Sequence, residues 1–101
     1  MTTSGFDIIE KARRILGLER QATRAEVLDA YRHLSLRYHP DKCSEAEQKK
    51  CAEKFKEIAR AKKVLDKYLN VYRYNFTEED FKKHLGPESK GIFSRFYFDW
   101  F

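Results

Sequence analysis

Apolar residues recur at helical spacing in several stretches of the chain, and short polar breaks separate these stretches. The first stretch runs from Ile8 to Leu16. Its apolar residues fall on one side of a helix: Ile8, Ile9, Ala12, Ile15 and Leu16. Gly17 follows directly, and glycine commonly ends a helix because it accepts the left-handed conformation there. The pattern therefore predicts a first helix that stops at Gly17.

A second helix is predicted to begin at Thr23. The segment Thr23-Arg24-Ala25-Glu26 has the spacing of a capping box, in which each of the two outer side chains accepts a hydrogen bond from the other residue's amide. Pro40 stops this helix, since proline has no amide to donate and disfavours the helical conformation in the preceding residue. The apolar face predicted for this helix comprises Val27, Ala30, Tyr31, Leu34 and Tyr38.

A third helix follows a second capping-box pattern, Ser44-Glu45-Ala46-Glu47, and is expected to run to about Leu69. Two long helices joined by a short loop pack as an antiparallel hairpin, which leaves the residues 39–41 exposed at its tip. The residues that the third helix turns inward are Cys51, Phe55, Ile58, Leu65 and Leu69.

The remaining segments are short. Thr77-Glu78-Glu79-Asp80 begins a fourth helix that Gly86-Pro87 ends. Residues 93–101 include six aromatic side chains, and we expect this tail to pack on the domain or to begin a further region. A membrane-surface or peptide-binding role for the tail is the alternative. The expected fold class is all-α, an antiparallel hairpin of the second and third helices with short first and fourth helices.

Composition is consistent with one soluble helical domain. The chain has 101 residues, of which 42% are apolar and 37% charged, with only four glycines and two prolines. No apolar run approaches the length needed to span a bilayer, and the first five residues lack a secretory signal. A reducing compartment, the cytoplasm or nucleus, is the expected location, and no membrane partner is expected.

Two cysteines, Cys43 and Cys51, are too few for a disulfide framework. A metal site with His39 is an alternative, but the Cys-x7-Cys spacing matches none of the usual zinc patterns. We therefore expect ordinary thiols, no metal and no cofactor.

The net charge and the tripeptide His39-Pro40-Asp41, which ends the second helix, favour binding over catalysis. A net charge of +5 favours acidic partners, which include nucleic acid, anionic lipid and acidic protein surfaces. His39 and Asp41 flank a proline with no serine or cysteine placed as their nucleophile, so no catalytic residue is assigned. Asp41 can instead accept a bidentate pair of hydrogen bonds from a partner's arginine. Its alternative role is to cap the turn before the third helix.

The frame of this tripeptide is more specific than the tripeptide itself. It reads AYRHLSLRYHPDK over residues 30–42, after LGL at 16–18 and before apolar residues at helical spacing in the third helix: Phe55, Ile58, Ala61, Val64 and Leu65. This frame resembles the J-domain of DnaJ-type co-chaperones over roughly residues 6–70. The resemblance implies a module that binds a DnaK-type heat-shock chaperone and stimulates its ATP hydrolysis, which couples hydrolysis to capture of substrate proteins.

The resemblance also implies where the partner binds. His39, Pro40 and Asp41 match the essential loop, and Phe55 matches a nearby position of the third helix. Matches to the second-helix surface are Tyr31, Arg32, Leu36, Arg37 and Lys42. With His33, the basic residues of this surface are expected to steer an acidic partner into place.

Some positions depart from the family pattern. Leu28, Asp29 and His33 stand where family members usually carry basic residues, so affinity or partner choice differs. Lys62 replaces a bulky residue of the third-helix core, and its alkyl stem is expected to lie along the apolar face. The domain boundaries expected are 6–70 for the J-domain core, 71–91 for the link and fourth helix, and 92–101 for the aromatic tail.

Two other functions are compatible with parts of the pattern. A basic helical nucleic-acid-binding domain fits the charge, but the second helix has Leu28, Asp29 and Leu36 among its basic residues, and a groove-reading helix would need basic or amide side chains there. A J-like fold kept only as an assembly scaffold is disfavoured by the intact loop. Client proteins, if any, are expected to bind through regions beyond this chain.

Overall fold

In a computed structural model, which describes residues 4–85, the chain forms four α-helices. They are α1 (Gly5–Ile15), α2 (Arg24–Arg37), α3 (Gln48–Val71) and α4 (Glu78–His84). Short 3₁₀ turns over Pro40–Lys42 and Glu45–Glu47 occupy the connection between α2 and α3. Residues 4–85 contain no strand, so the all-α fold class is confirmed.

Capping boxes start the first two helices. At α2, the Thr23 hydroxyl accepts from the Glu26 amide at 3.1 Å, and the Glu26 carboxylate accepts from the Thr23 amide at 2.9 Å, as predicted. The hydrogen bond from the Thr23 amide lowers the pKa of Glu26. Ser4 and Asp7 form an equivalent pair at α1 that the sequence analysis missed. As a result, α1 begins three residues before the predicted Ile8.

Gly17 ends α1 as predicted. Its φ of 68° lies in the left-handed region, where other residues are strained. The Arg13 guanidinium donates to the Leu18 carbonyl at 2.6 Å and so closes the turn that leaves the helix.

The predicted capping box at α3 is wrong. The Glu47 amide donates to the backbone carbonyl of Ser44 at 2.9 Å, which closes a 3₁₀ turn and occupies the donor that the Ser44 side chain would cap. Neither Ser44 nor Glu47 makes a side-chain cap. The helix therefore starts at Gln48, and it continues two residues past the predicted end, to Val71.

The core lies where α3 packs against α1 and α2. Ile58, at its centre, has no exposed surface. Of the α3 residues predicted to face inward, Phe55 and Leu69 are only half-buried. The buried core cluster comprises Ala12, Leu16, Val27, Ile58, Ala61 and Leu65.

Ile8 belongs to the apolar face predicted for α1, but it is exposed in the structure. Its side chain is 47% exposed, together with that of Phe6 in the same helix turn. Both residues line an open groove between α1 and the end of α3, on which Val71 also lies. The apolar face read from the sequence is thus longer than the surface that α3 covers.

Lys62 behaves as predicted for a lysine at a core position. Its side chain is 19% exposed, and its ammonium reaches the Asp66 carboxylate at 2.6 Å. The ammonium also lies 5.3 Å from the centre of the Tyr31 ring. The charge is therefore satisfied while the alkyl stem is covered.

The last described helix begins where expected, since the Thr77 hydroxyl accepts from the Asp80 amide at 3.2 Å. None of its residues is buried. Within residues 4–85, the helices lack the combination of length and apolar character that crossing a bilayer requires. The helix stop at Gly86-Pro87 and the packing of the tail 92–101 lie outside the described residues.

An ion pair at α1 makes stability depend on pH. Hydrogen bonds from Arg13, at 2.6 and 2.9 Å, lower the pKa of Glu10 from 4.5 to about 2. Because the folded-state pKa is the lower one, the pair stabilises the fold above pH 4.5, and this contribution is lost as the pH falls toward 2. Glu10→Gln should therefore lower the melting temperature slightly at pH 7, and the gap to wild type should close as the pH falls from 4.5 toward 2.

Calorimetry of both chains across the pH series measures this gap. Glu53→Gln, at an exposed position of α3, is the matched control and should follow wild type at every pH. A Glu10→Gln gap that stays constant down to pH 2 would contradict the assignment.

Candidate functional site

The connection between α2 and α3 presents a compact polar turn. His39 has extended backbone angles (φ −61°, ψ 132°), as expected before proline. Its carbonyl accepts from the Lys42 amide at 2.9 Å, and the Pro40 carbonyl accepts from the Cys43 amide at 3.2 Å. These two bonds fold residues 39–43 into a single compact turn after α2.

Two polar side chains project from this turn. The Asp41 side chain is 90% exposed, and that of His39 is 46% exposed. The His39 Nδ1 accepts from the Asp41 amide at 3.2 Å and lies 3.6 Å from the Asp41 carboxylate. Among residues 4–85, no hydrogen bond engages the Asp41 carboxylate, and the side chain that caps the turn before α3 is that of His39, so the alternative role of Asp41 as a cap for this turn is not fulfilled. The carboxylate is available to an outside donor.

Phe55 positions the imidazole. Its ring meets the His39 ring edge-on, with centres 5.9 Å apart and planes at 85°. Phe55 lies two turns inside α3, which packs on the core through Ile58. The loop is thereby braced against a rigid helix, and the structure brings together these two residues that the sequence analysis assigned to one site.

The predicted binding surface of α2 is exposed for the most part. Arg32, His33 and Arg37 are exposed on it, and Leu36 is 59% exposed. Lys42 extends the same charge beyond the end of the helix, on the 3₁₀ turn. Positive charge and one apolar side chain therefore lie beside the polar turn.

Tyr31 is placed differently from the other residues assigned to this surface. It is half-buried and packs against the core cluster. The Lys62 ammonium lies 5.3 Å from the centre of its ring. The structure thus gives Tyr31 a packing role, and a direct contact with a partner stays a prediction.

Lys54 is a basic neighbour of the turn that the sequence analysis missed. Its ammonium lies 6.0 Å from the centre of the Tyr38 ring, and the Arg37 guanidinium lies 5.4 Å from the same ring. The Tyr38 ring therefore lies near two cations at the base of the loop, Lys54 of α3 and Arg37 of α2. The signal in the sequence is weak because Lys54 is one of several lysines in a charged helix face.

The cysteines also correct the sequence analysis. Cys43 and Cys51 are joined in a disulfide, with their Cα atoms 6.6 Å apart, so the expectation of ordinary thiols is wrong. The spacing gave no hint of this because the pair meets only when the 3₁₀ turns fold the chain back onto α3. The reducing location expected from the sequence stays a prediction. Residues 4–85 hold no cluster of three or more potential metal ligands.

Comparison with known proteins identifies related chains. Residues 11–75 match the family model of the DnaJ domain. DnaJ protein homolog 1 of Drosophila melanogaster is 44% identical over 80 residues, 77% of this chain and 23% of that protein. Chaperone protein DnaJ of Mesomycoplasma hyopneumoniae (strain 232) is 40% identical over 89 residues, 84% of this chain and 24% of that protein.

A third relative matches a shorter segment. DnaJ homolog subfamily C member 3 of Homo sapiens is 51% identical over 53 residues, 52% of this chain and 10% of that protein. The chain thus spans about a quarter or less of the length of these relatives. No solved structure matches the chain.

Proposed function

This chain belongs to the DnaJ-domain family of co-chaperones, and from that membership we propose that it docks onto a DnaK-type heat-shock chaperone and stimulates its ATP hydrolysis. The family's domain is not itself an enzyme, so the hydrolysis takes place on the partner. Stimulation couples hydrolysis to capture of a substrate protein.

The observation that carries the proposal is the exposed carboxylate of Asp41 on a braced turn. Its side chain is 90% exposed, and its carboxylate accepts no hydrogen bond from residues 4–85. The His39 ring beside it contacts the Phe55 ring edge-on. A carboxylate presented in this way accepts a bidentate pair from an arginine, which is among the stronger and more directional polar contacts. We assign the loop His39–Asp41 as the central contact.

The basic face of α2 supports the approach of the partner. Arg32, Arg37 and Lys42 attract an acidic surface, and this attraction acts mainly on the association rate. The exposed Leu36 adds an apolar contact to this helix. A nucleic-acid partner fits less well because Asp29 and Leu36 interrupt the positive charge.

The test is a single-turnover ATPase assay with a purified DnaK-type chaperone. Adding the chain should raise the rate of hydrolysis, and the effect should saturate with concentration. A gel-shift assay with duplex and single-stranded nucleic acid tests the alternative in parallel. Nucleic-acid binding without any stimulation would overturn the proposal.

Charge reversal on α2 should slow association. We expect Arg32→Glu with Arg37→Glu to reduce the association rate roughly tenfold or more at low salt, because steering by the basic face becomes repulsion. Wild-type affinity should fall as salt rises. Surface-binding kinetics over a salt series measure both effects.

The matched control reverses two lysines elsewhere. Lys63→Glu with Lys67→Glu changes the net charge equally but lies on exposed positions in the second half of α3. It should alter the association rate much less. Equal slowing by both double variants would mean that only net charge acts, and not the α2 face.

A further inference from the structure

We propose that Cys43 and Cys51 form a dithiol–disulfide exchange site that controls how firmly the loop His39–Asp41, hereafter the docking loop, is held. The oxidised pair fixes the loop for the partner, and reduction releases it. The effect on the chaperone rests on the proposed function above, whereas the effect on the loop does not.

The disulfide is attached directly to the loop. Cys43 is the residue that closes the 3₁₀ turn Pro40–Lys42, because its amide donates a hydrogen bond to the Pro40 carbonyl at 3.2 Å. Its Sγ is bonded to that of Cys51 in the first turn of α3. Any movement of the turn away from α3 is therefore opposed by a covalent link.

The same face of α3 holds the loop a second time. Cys51 and Phe55 are four residues apart and so are neighbours on one side of the helix. The disulfide fixes the end of the turn at Cys51, and the Phe55 ring contacts His39 at its beginning. The two attachments enclose Asp41 between them.

The start of α3 depends on the disulfide as well. Its first turn has no side-chain cap from Ser44 or Glu47. Uncapped first turns fray because their amides lack partners. A covalent bond to Cys51, in this turn, limits such fraying, and its loss would loosen the helix end on which the loop rests.

The two sulfurs differ in access. Cys43 is half-buried, whereas Cys51 is 7% exposed. A thiolate of a dithiol reductant therefore attacks Cys43 Sγ, and Cys51 leaves as a thiolate that takes up a proton. The second thiol of the reductant then displaces Cys43. Two electrons and two protons reach the protein, and the reductant becomes a disulfide.

Amide hydrogen exchange tests the restraint alone. The chain is compared after oxidation by glutathione disulfide and after reduction by dithiothreitol, with mass spectrometry reporting the disulfide. Exchange at Lys42, at Cys43 and in the second turn of α3, whose amides donate to the carbonyls of the first turn, should become faster by about tenfold or more on reduction. Unchanged exchange, or no disulfide after oxidation, overturns the inference.

ATPase stimulation tests the functional consequence. The oxidised chain should stimulate severalfold more than the reduced chain at subsaturating concentration. Cys43→Ser with Cys51→Ser should match the reduced chain with or without dithiothreitol, which controls for effects on the chaperone. If that variant does not fold, the wild-type chain titrated over a glutathione redox series gives the same comparison.

The outcomes separate the two proposals. Equal stimulation by the oxidised and reduced chains overturns the redox control while leaving the proposed function in place. No stimulation in either state overturns the proposed function, and the exchange rates then still decide whether the disulfide restrains the loop.

Discussion

Asp41→Asn should abolish stimulation of a DnaK-type ATPase without unfolding the chain. The carboxylate is 90% exposed and makes no hydrogen bond among residues 4–85, so its conversion to an amide costs the fold little. The amide cannot accept a charge-assisted bidentate pair from a partner's arginine, which removes the strongest contact that the loop can make. Single-turnover hydrolysis and thermal melting of the same preparation measure the two effects.

Glu79→Gln is the matched control, since it makes the same carboxylate-to-amide change at an exposed position of α4, outside both the loop and the α2 face. It should preserve stimulation. An Asp41→Asn chain that melts like wild type and still stimulates would exclude the loop as the central contact.

Ile58→Ala should give the largest loss of stability. Ile58 has no exposed surface and lies where α3 packs on the other helices. Removing its side-chain atoms leaves a cavity and costs about 2–5 kcal/mol, against a total of roughly 5–15 kcal/mol for a domain. Urea unfolding at constant pH measures the difference, and the variant should be partly unfolded at physiological temperature.

Ile8→Ala is the control for the same substitution on α1. Because Ile8 is 47% exposed, the expected loss is about 1 kcal/mol or less. Losses of equal size at the two positions would mean that Ile8 is buried in solution, as its place in the apolar pattern predicts.

Local sequence signals predicted the helices well where one motif sufficed. Thr23 and Glu26 are three residues apart and form their capping box from neighbouring atoms, so the start of α2 follows from the sequence. The same spacing failed at Ser44 and Glu47 because a backbone 3₁₀ turn takes the Glu47 amide. A capping motif shows that a capping box can form, but the box does not form where a backbone turn already uses the same amide.

Features that depend on tertiary contacts were harder to predict. The exposure of Ile8 follows from how far α3 covers α1, which periodicity along α1 does not contain. The disulfide between Cys43 and Cys51 requires that two turns fold before the sulfurs meet. Of the site, the loop residues were found from their frame, but Lys54 was found only when the structure placed it beside Tyr38.

The length of α3 separates the two ends of the domain. With 24 residues, the helix is about 36 Å long, with the docking loop beside its first turns and Val71 at its far end. This length exceeds the distance over which exposed charges interact appreciably in physiological salt, about 8 Å. Changes near Val71 and changes in the loop should therefore act additively. Substitutions after α3 would then leave the contact proposed for the loop His39–Asp41 unchanged.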